Sequence, residues 1–164
     1  VWYNELGLRD TQYVREATLD DIMYIASNIR EEDREEIKAN CGLPPELAFL
    51  GYHQQNREMY VAGMHCYNDA DVLFGCDKVP GVPEVGIPWL VSTPRLYEHP
   101  QMFLPYSKKI FDYFNTRHPL LTNYIDARNT RHIEWLRWLG CKFLRVVDNF
   151  GAEGRPFIEF VSIK

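Results

Sequence analysis

The chain has 164 residues, a length that one hydrophobic core can serve without disulfides or metals. Hydrophobic residues make up 46% and aromatic residues 14%, which excludes a disordered chain and predicts a packed domain. A net charge of −5 excludes a general nucleic-acid binder, because such binding depends on many phosphate contacts.

The charge is unevenly spread. Residues 1–94 carry 7 Lys and Arg against 16 Asp and Glu, a net of −9, whereas residues 95–145 carry 9 against 4, a net of +5. A local basic zone of that kind suits a small phosphorylated ligand. The four cysteines, Cys41, Cys66, Cys76 and Cys141, form no C-x-x-C pair and read as reduced thiols. His65, Cys66 and Cys76 hint at a metal, yet strand residues at that spacing pack more often than they ligate, so no metal is predicted. No stretch is apolar for long enough to span a bilayer, and no basic, apolar leader opens the chain; a cytoplasmic protein without a membrane partner is expected. Residues 1–12 are taken as an arm and residues 13–164 as a single domain.

Thr18, followed by Asp20 and Asp21, marks a helix start, with a hydroxyl cap and acids opposing the macrodipole. Leu19, Ile22, Met23, Ala26 and Ile29 recur at helical spacing. The helix is expected to continue through the charged stretch Arg30 to Lys38 and to end by Gly42, ahead of Pro44 and Pro45. A short helix over residues 46–52 follows. Met59–Met64, Val72–Cys76 and Val85–Ser92 are short apolar runs bounded by turn residues, the pattern of an antiparallel meander. Pro88 inside the third run has no N–H to give, which predicts a bulge or interruption there.

After Pro100, Phe103, Tyr106, Ile110, Tyr113 and Phe114 keep helical spacing until Pro119. Leu120–Ile125 reads as a buried strand. Asn129 or Thr130 then caps a helix over residues 131–139, which Gly140 stops as a C′ glycine. Phe143–Val147 and Phe157–Ile163 flank a turn-rich stretch and pair as a hairpin. The fold class is α+β: a mixed, mostly antiparallel twisted sheet with helices on both faces.

Asn123-Tyr124-Ile125-Asp126-Ala127-Arg128-Asn129, followed by Ile133, Leu136 and Leu139-Gly140-Cys141, resembles the segment of GNAT-superfamily N-acetyltransferases in which a strand leads into an Asn-capped helix closing on Gly-Phe. Cys141 replaces the usual Phe. A narrower resemblance, to GNAT-like proteins of short-tailed bacteriophages that include an internal virion protein, rests on Asn28-Ile29-Arg30 with Asp33 and Glu36, Phe74-Gly75, Pro88-Trp89 with Thr93, and Asn129 with Trp135, Leu136 and Gly140.

The resemblance implies a fold in which the fourth and fifth strands splay apart to admit the pantetheine arm of acetyl-CoA. It places Leu90, Val91, Ser92 and Thr93 on one side of that arm and Asn123 and Asn129 on the other. Leu90 and Val91 serve a core equally well, and Asn129 a helix cap. The family's Gly-rich pyrophosphate loop falls on Arg95-Leu96-Tyr97-Glu98-His99-Pro100-Gln101-Met102-Phe103, which has no glycine; Gln101, Met102 and Phe103 hold the positions of its amides. Among the basic residues, Arg95 and Arg131 are the candidates for phosphate, while Lys108 and Lys109 read as solvated. Glu36, Asp33 and His99 are the candidate bases for an amine acceptor. Leu136 stands where many of these enzymes keep the tyrosine that protonates the leaving thiolate. Two readings follow: an acetyl-CoA-dependent N-acetyltransferase acting on an amine or protein acceptor, or a phage protein that keeps the fold without the chemistry and binds virion or host proteins.

Overall fold

A computed structural model describes every residue except Gln12, His65, Tyr67 and His99, and leaves out the side chains of Asp10 and Thr11. In chain order the elements are α1 (Trp2–Glu5), α2 (Leu8–Thr11), β1 (Arg15–Glu16), α3 (Leu19–Ser27), α4 (Glu31–Cys41), α5 (Pro45–Gln54), β2 (Tyr60–Ala62), β3 (Val72–Val79) and β4 (Val82–Ser92). A 3₁₀ turn (Pro94–Glu98), α6 (Pro100–Arg117), β5 (Leu120–Asp126), α7 (Thr130–Trp138), β6 (Lys142–Phe150) and β7 (Arg155–Ile163) complete it. The seven strands form one sheet in the order β1-β2-β3-β4-β5-β7-β6.

Strand alternation divides the core between the two faces. Val61, Leu73 and Val91 meet Ile22, Ile25 and Ala26 of α3 and Phe49 of α5. Their sequence neighbours Ala62, Val72 and Phe74 point the other way, toward Phe103, Ile110 and Phe114 of α6 and Leu136 of α7. This is why Val72-Leu73-Phe74 reads as a continuous apolar run: both faces are covered.

Three expectations need correcting, and a fourth, the interruption at Pro88, is met on one side of its strand only. The first helix is not continuous. Thr18 closes a capping box with Asp21 as expected, but the helix stops at Ser27, and Arg30 is extended, donating its backbone N–H to the Ser92 carbonyl at 2.9 Å. The chain restarts as α4 and ends on Gly42 in the left-handed region at φ 76°.

Residues 2–8, expected as part of an arm, pack into the fold. Tyr3 and Leu8 lie in the core beneath α6, and Trp2 stacks on Tyr113 with ring centroids 4.7 Å apart.

Asn129 occupies the N-cap position of α7 without making a side-chain cap bond; its amide goes elsewhere, as described below.

Pro88 causes no bulge toward β3: the β3–β4 register runs regularly through Cys76–Pro88 and shifts only at Lys78/Val79. The Pro88 carbonyl accepts from the Asn123 side chain, on the β5 side. Because a strand residue directs its N–H and C=O the same way, the missing N–H also faces β5, so the β3 ladder loses nothing.

Candidate functional site

β4 and β5 run parallel and pair at Val85–Leu120 and Gly86–Leu121. Beyond those pairs they part. Asn123 spans the start of the gap, donating from Nδ2 to the Pro88 carbonyl at 2.9 Å and accepting the Tyr124 N–H at 2.7 Å. The close approach at the join depends on Gly86, where a Cβ would lie 2.8 Å from both Cys76 Sγ and the His118 ring.

The gap opens into a cavity of about 720 Å³ that reaches both faces of the sheet. On the α4–α5 side its wall includes Glu36, Phe49, Tyr52 and Trp89; in the gap itself, Pro88, Leu90 and Asn123; on the α6–α7 side, Phe103, Tyr106 and Trp135. Trp89 lies against Gly75, whose absent side chain leaves room for the ring, and stacks on Phe49 at 6.0 Å.

A buried polar cluster closes the far end of the gap. Asp33 is fully buried; Oδ1 accepts from Arg30 Nη1 at 3.2 Å and Asn129 Nδ2 at 3.3 Å, and Oδ2 from the Ser92 N–H at 3.1 Å. Arg30 Nη1 also stands 2.8 Å from His132 Nε2. A guanidinium can only donate, so His132 Nε2 accepts and the ring proton sits on Nδ1, 3.6 Å from Asp33. Burial also holds the imidazole pKa down. Arg30 and Arg131 both lie over the Tyr97 ring, at 4.5 and 4.9 Å.

Glu36, one turn along α4 from Asp33, is half-buried, with Oε1 accepting the backbone N–H of Asp126 at 2.7 Å. Burial, joined by the nearby Asp33 charge, pushes its carboxyl up to about 8. Asp33 has its two oxygens engaged by Arg30, Asn129 and the Ser92 N–H, whereas Glu36, on the cavity wall, titrates near 8.

The predicted cofactor residues divide. Val91, by alternation, turns its backbone to β3. Ser92 gives its N–H to Asp33 and its C=O to Arg30, and Thr93 gives its N–H to the Asp71 carbonyl. Leu90 therefore has its peptide groups directed into the gap. The hydroxyls of Ser92 and Thr93 are buried and have no partner among the described residues. Arg95 is engaged with Asp71 at 3.3 Å, and Arg128 holds Asp126 at 2.7 Å. Arg131 and Gln101 are exposed, Met102 is half-buried, and Phe103 is core, packed on Trp135. His99 lies outside the described residues. The described residues hold no cluster of three or more metal-ligating side chains, and no helix long and apolar enough to cross a membrane.

Sequence reasoning missed Arg30 and His132 as partners, because 102 positions separate them. It also missed Tyr106, whose spacing marks only a helix face.

By sequence alone the chain matches no family model and no curated protein. Its structure is similar to that of a chimera of the spermidine N-acetyltransferase SpeG from Vibrio cholerae with hSSAT. That match has TM-score 0.69 and 10% identity, covering 94% of this chain and 96% of the other. The fold is that of the GNAT N-acetyltransferases. A GNAT-family acetyltransferase from Bacillus anthracis superposes with TM-score 0.70 and 10% identity, covering 92% and 93%. A ribosomal-protein-alanine N-acetyltransferase from Brucella melitensis gives 0.63 and 13%, covering 92% and 99%. At such identities the likeness concerns the fold alone.

Proposed function

We propose that the chain transfers an acetyl group from acetyl-CoA to an amine, carried by a small molecule or a protein. One observation carries the reading: the gap between β4 and β5 opens into a through-going cavity with Glu36 on its wall, its carboxyl raised to about 8. Acetyl-CoA fits what is there. The Leu90 peptide groups, left without a strand partner where β4 and β5 part, suit a pantetheine arm rich in amides.

When bound, the thioester supplies an activated acetyl group. The chain's residues do the rest. An ammonium must lose its proton before its nitrogen attacks, and Glu36, titrating near neutrality, takes that proton. Asp33 has both oxygens committed and acts by holding Arg30 in place and raising Glu36; it is a positioning residue. Arg131 and the amides of Gln101 and Met102 serve the phosphates. Leu136 offers no hydroxyl, and the departing thiol, with an ordinary pKa near ~8.5, leaves without a strong acid. An amine acceptor agrees with the spermidine and alanine named for the structural neighbours.

The test is calorimetric titration with acetyl-CoA, followed by an assay of thiol release with a panel of amines. Binding plus release that is lost in Glu36→Gln supports the reading. No heat and no rise in the melting midpoint at millimolar acetyl-CoA removes it.

The second reading, a binder of virion or host proteins that keeps the fold without transfer, rests on Leu136 and the glycine-free stretch 95–103. The likeness to short-tailed bacteriophage proteins belongs with it. Acetyl-CoA binding without turnover on any amine would favour it.

A further inference from the structure

On the α6 side of the gap the cavity continues as an apolar chamber. Met64, Val72 and Phe74 line it from the sheet, and Phe103, Ile110 and Phe114 from the helix. Those three α6 residues retain 6%, 9% and 8% exposure, whereas Leu96 and Leu121 in the same cluster retain none. The cavity wall thus runs along these α6 side chains and the facing strands.

Tyr106 provides an independent observation. It is 5% exposed, lines the cavity, and its hydroxyl is buried with no hydrogen-bond partner among the described residues. Buried hydroxyls are ordinarily paired, so an orphan on a cavity wall marks where a ligand atom goes. Its neighbour Ser107 is not in that position, because it donates to the Leu104 carbonyl at 2.8 Å and accepts from Trp135 Nε1 at 3.0 Å.

Resting on the acyl-transfer reading, we propose that this chamber receives the acyl group of the donor thioester, so that the site accepts acetyl but prefers a larger group, a medium-length aliphatic or an aromatic acyl. The Tyr106 hydroxyl donates to the thioester carbonyl at the chamber mouth. An acetyl methyl leaves the chamber unfilled, whereas a longer chain covers the apolar wall.

The experiment is calorimetric titration of the full chain with free CoA, acetyl-CoA, hexanoyl-CoA and phenylacetyl-CoA. Each further methylene buried is worth about fourfold in affinity, so hexanoyl-CoA is expected to bind at least about tenfold tighter than acetyl-CoA. Ile110→Phe, which fills the chamber, is expected to bring the hexanoyl-to-acetyl ratio toward one. Tyr106→Phe, which preserves the packing, is expected to weaken the acyl thioesters relative to free CoA. If acetyl-CoA binds and hexanoyl-CoA binds no tighter, the chamber proposal is overturned and the transferase reading stands. If no thioester and no free CoA binds, the reading of the gap itself goes and the chamber with it. A hexanoyl preference that Ile110→Phe leaves intact also overturns the proposal, since the chain then lies elsewhere.

Discussion

Asn123 donates to the Pro88 carbonyl across 2.9 Å, at the point where β4 and β5 have just separated. The bond ties a residue that has no N–H to a side chain that replaces the missing ladder contact. Asn123→Ala should cost about 1–2 kcal/mol of stability, the range for a partly buried hydrogen bond whose acceptor is left behind. Urea unfolding with an unchanged m-value measures it.

Glu36→Gln should reduce acetyl transfer by about 10²-fold or more while retaining acetyl-CoA binding, as expected for a lost general base. In the unaltered protein the base must be ionised, so kcat/KM should rise with pH and level off above an apparent pKa near 8. A flat profile from pH 6 to 9 would remove Glu36 from the reaction.

Stability should show the opposite slope. The folded-state pKa of Glu36 lies above its ordinary 4.5. Between 4.5 and about 8 the folded form therefore holds more protons than the unfolded one, and this contribution to stability is full below the lower value and fades as pH rises through the upper. Glu36→Gln should flatten that decline, as read from melting midpoints across pH 5–9.

Asp33→Asn removes the charge that helps raise Glu36, so the activity profile should move to lower pH. It also leaves Arg30 buried beside a neutral amide, a loss of about 3–5 kcal/mol. The two readouts separate: a stability loss with no movement of the pH profile would show Asp33 to be a folding residue alone.

Gly75→Ala places a methyl 2.8 Å from the Glu58 carbonyl and 3.0 Å from the Trp89 ring. The ring or the strand must shift, at about 1–3 kcal/mol. Altered tryptophan emission together with weaker acceptor binding would show that Trp89 walls the acceptor side.

Local chemistry in the sequence was enough for the helix starts and stops. Thr18 with Asp21 and the positive φ of Gly42 and Gly140 work without distant partners. The candidate site was legible only in pieces. Pro88 stood out correctly, but which neighbouring strand its missing N–H faces depends on strand order, and no local pattern encodes that. Asn129 carries the residue type of a cap, yet it is drawn off by Asp33, which is 96 positions away. Glu36 sits in a run of charges that looks like a solvated face; the Asp126 amide, 90 positions away, and the Asn129 side chain turn it inward. The break at Arg30 was hidden for the same reason: what ends the helix is the Ser92 carbonyl on another strand.

The join between β4 and β5 makes the sheet two leaves on a short hinge. One leaf is β1 to β4, the other β5, β7 and β6, and the strands meet through only the pairs at Val85 and Gly86. The rim is fastened instead by a clasp: Arg30 and Asp33 come from α4 and its approach, Ser92 from the first leaf, and Asn129 and His132 from the far side of the second. Across the open stretch the two leaves are therefore held at the rim by these side chains and one strand amide, and along one face by the core under α6 that both share, and hardly at all by the strands' own ladder.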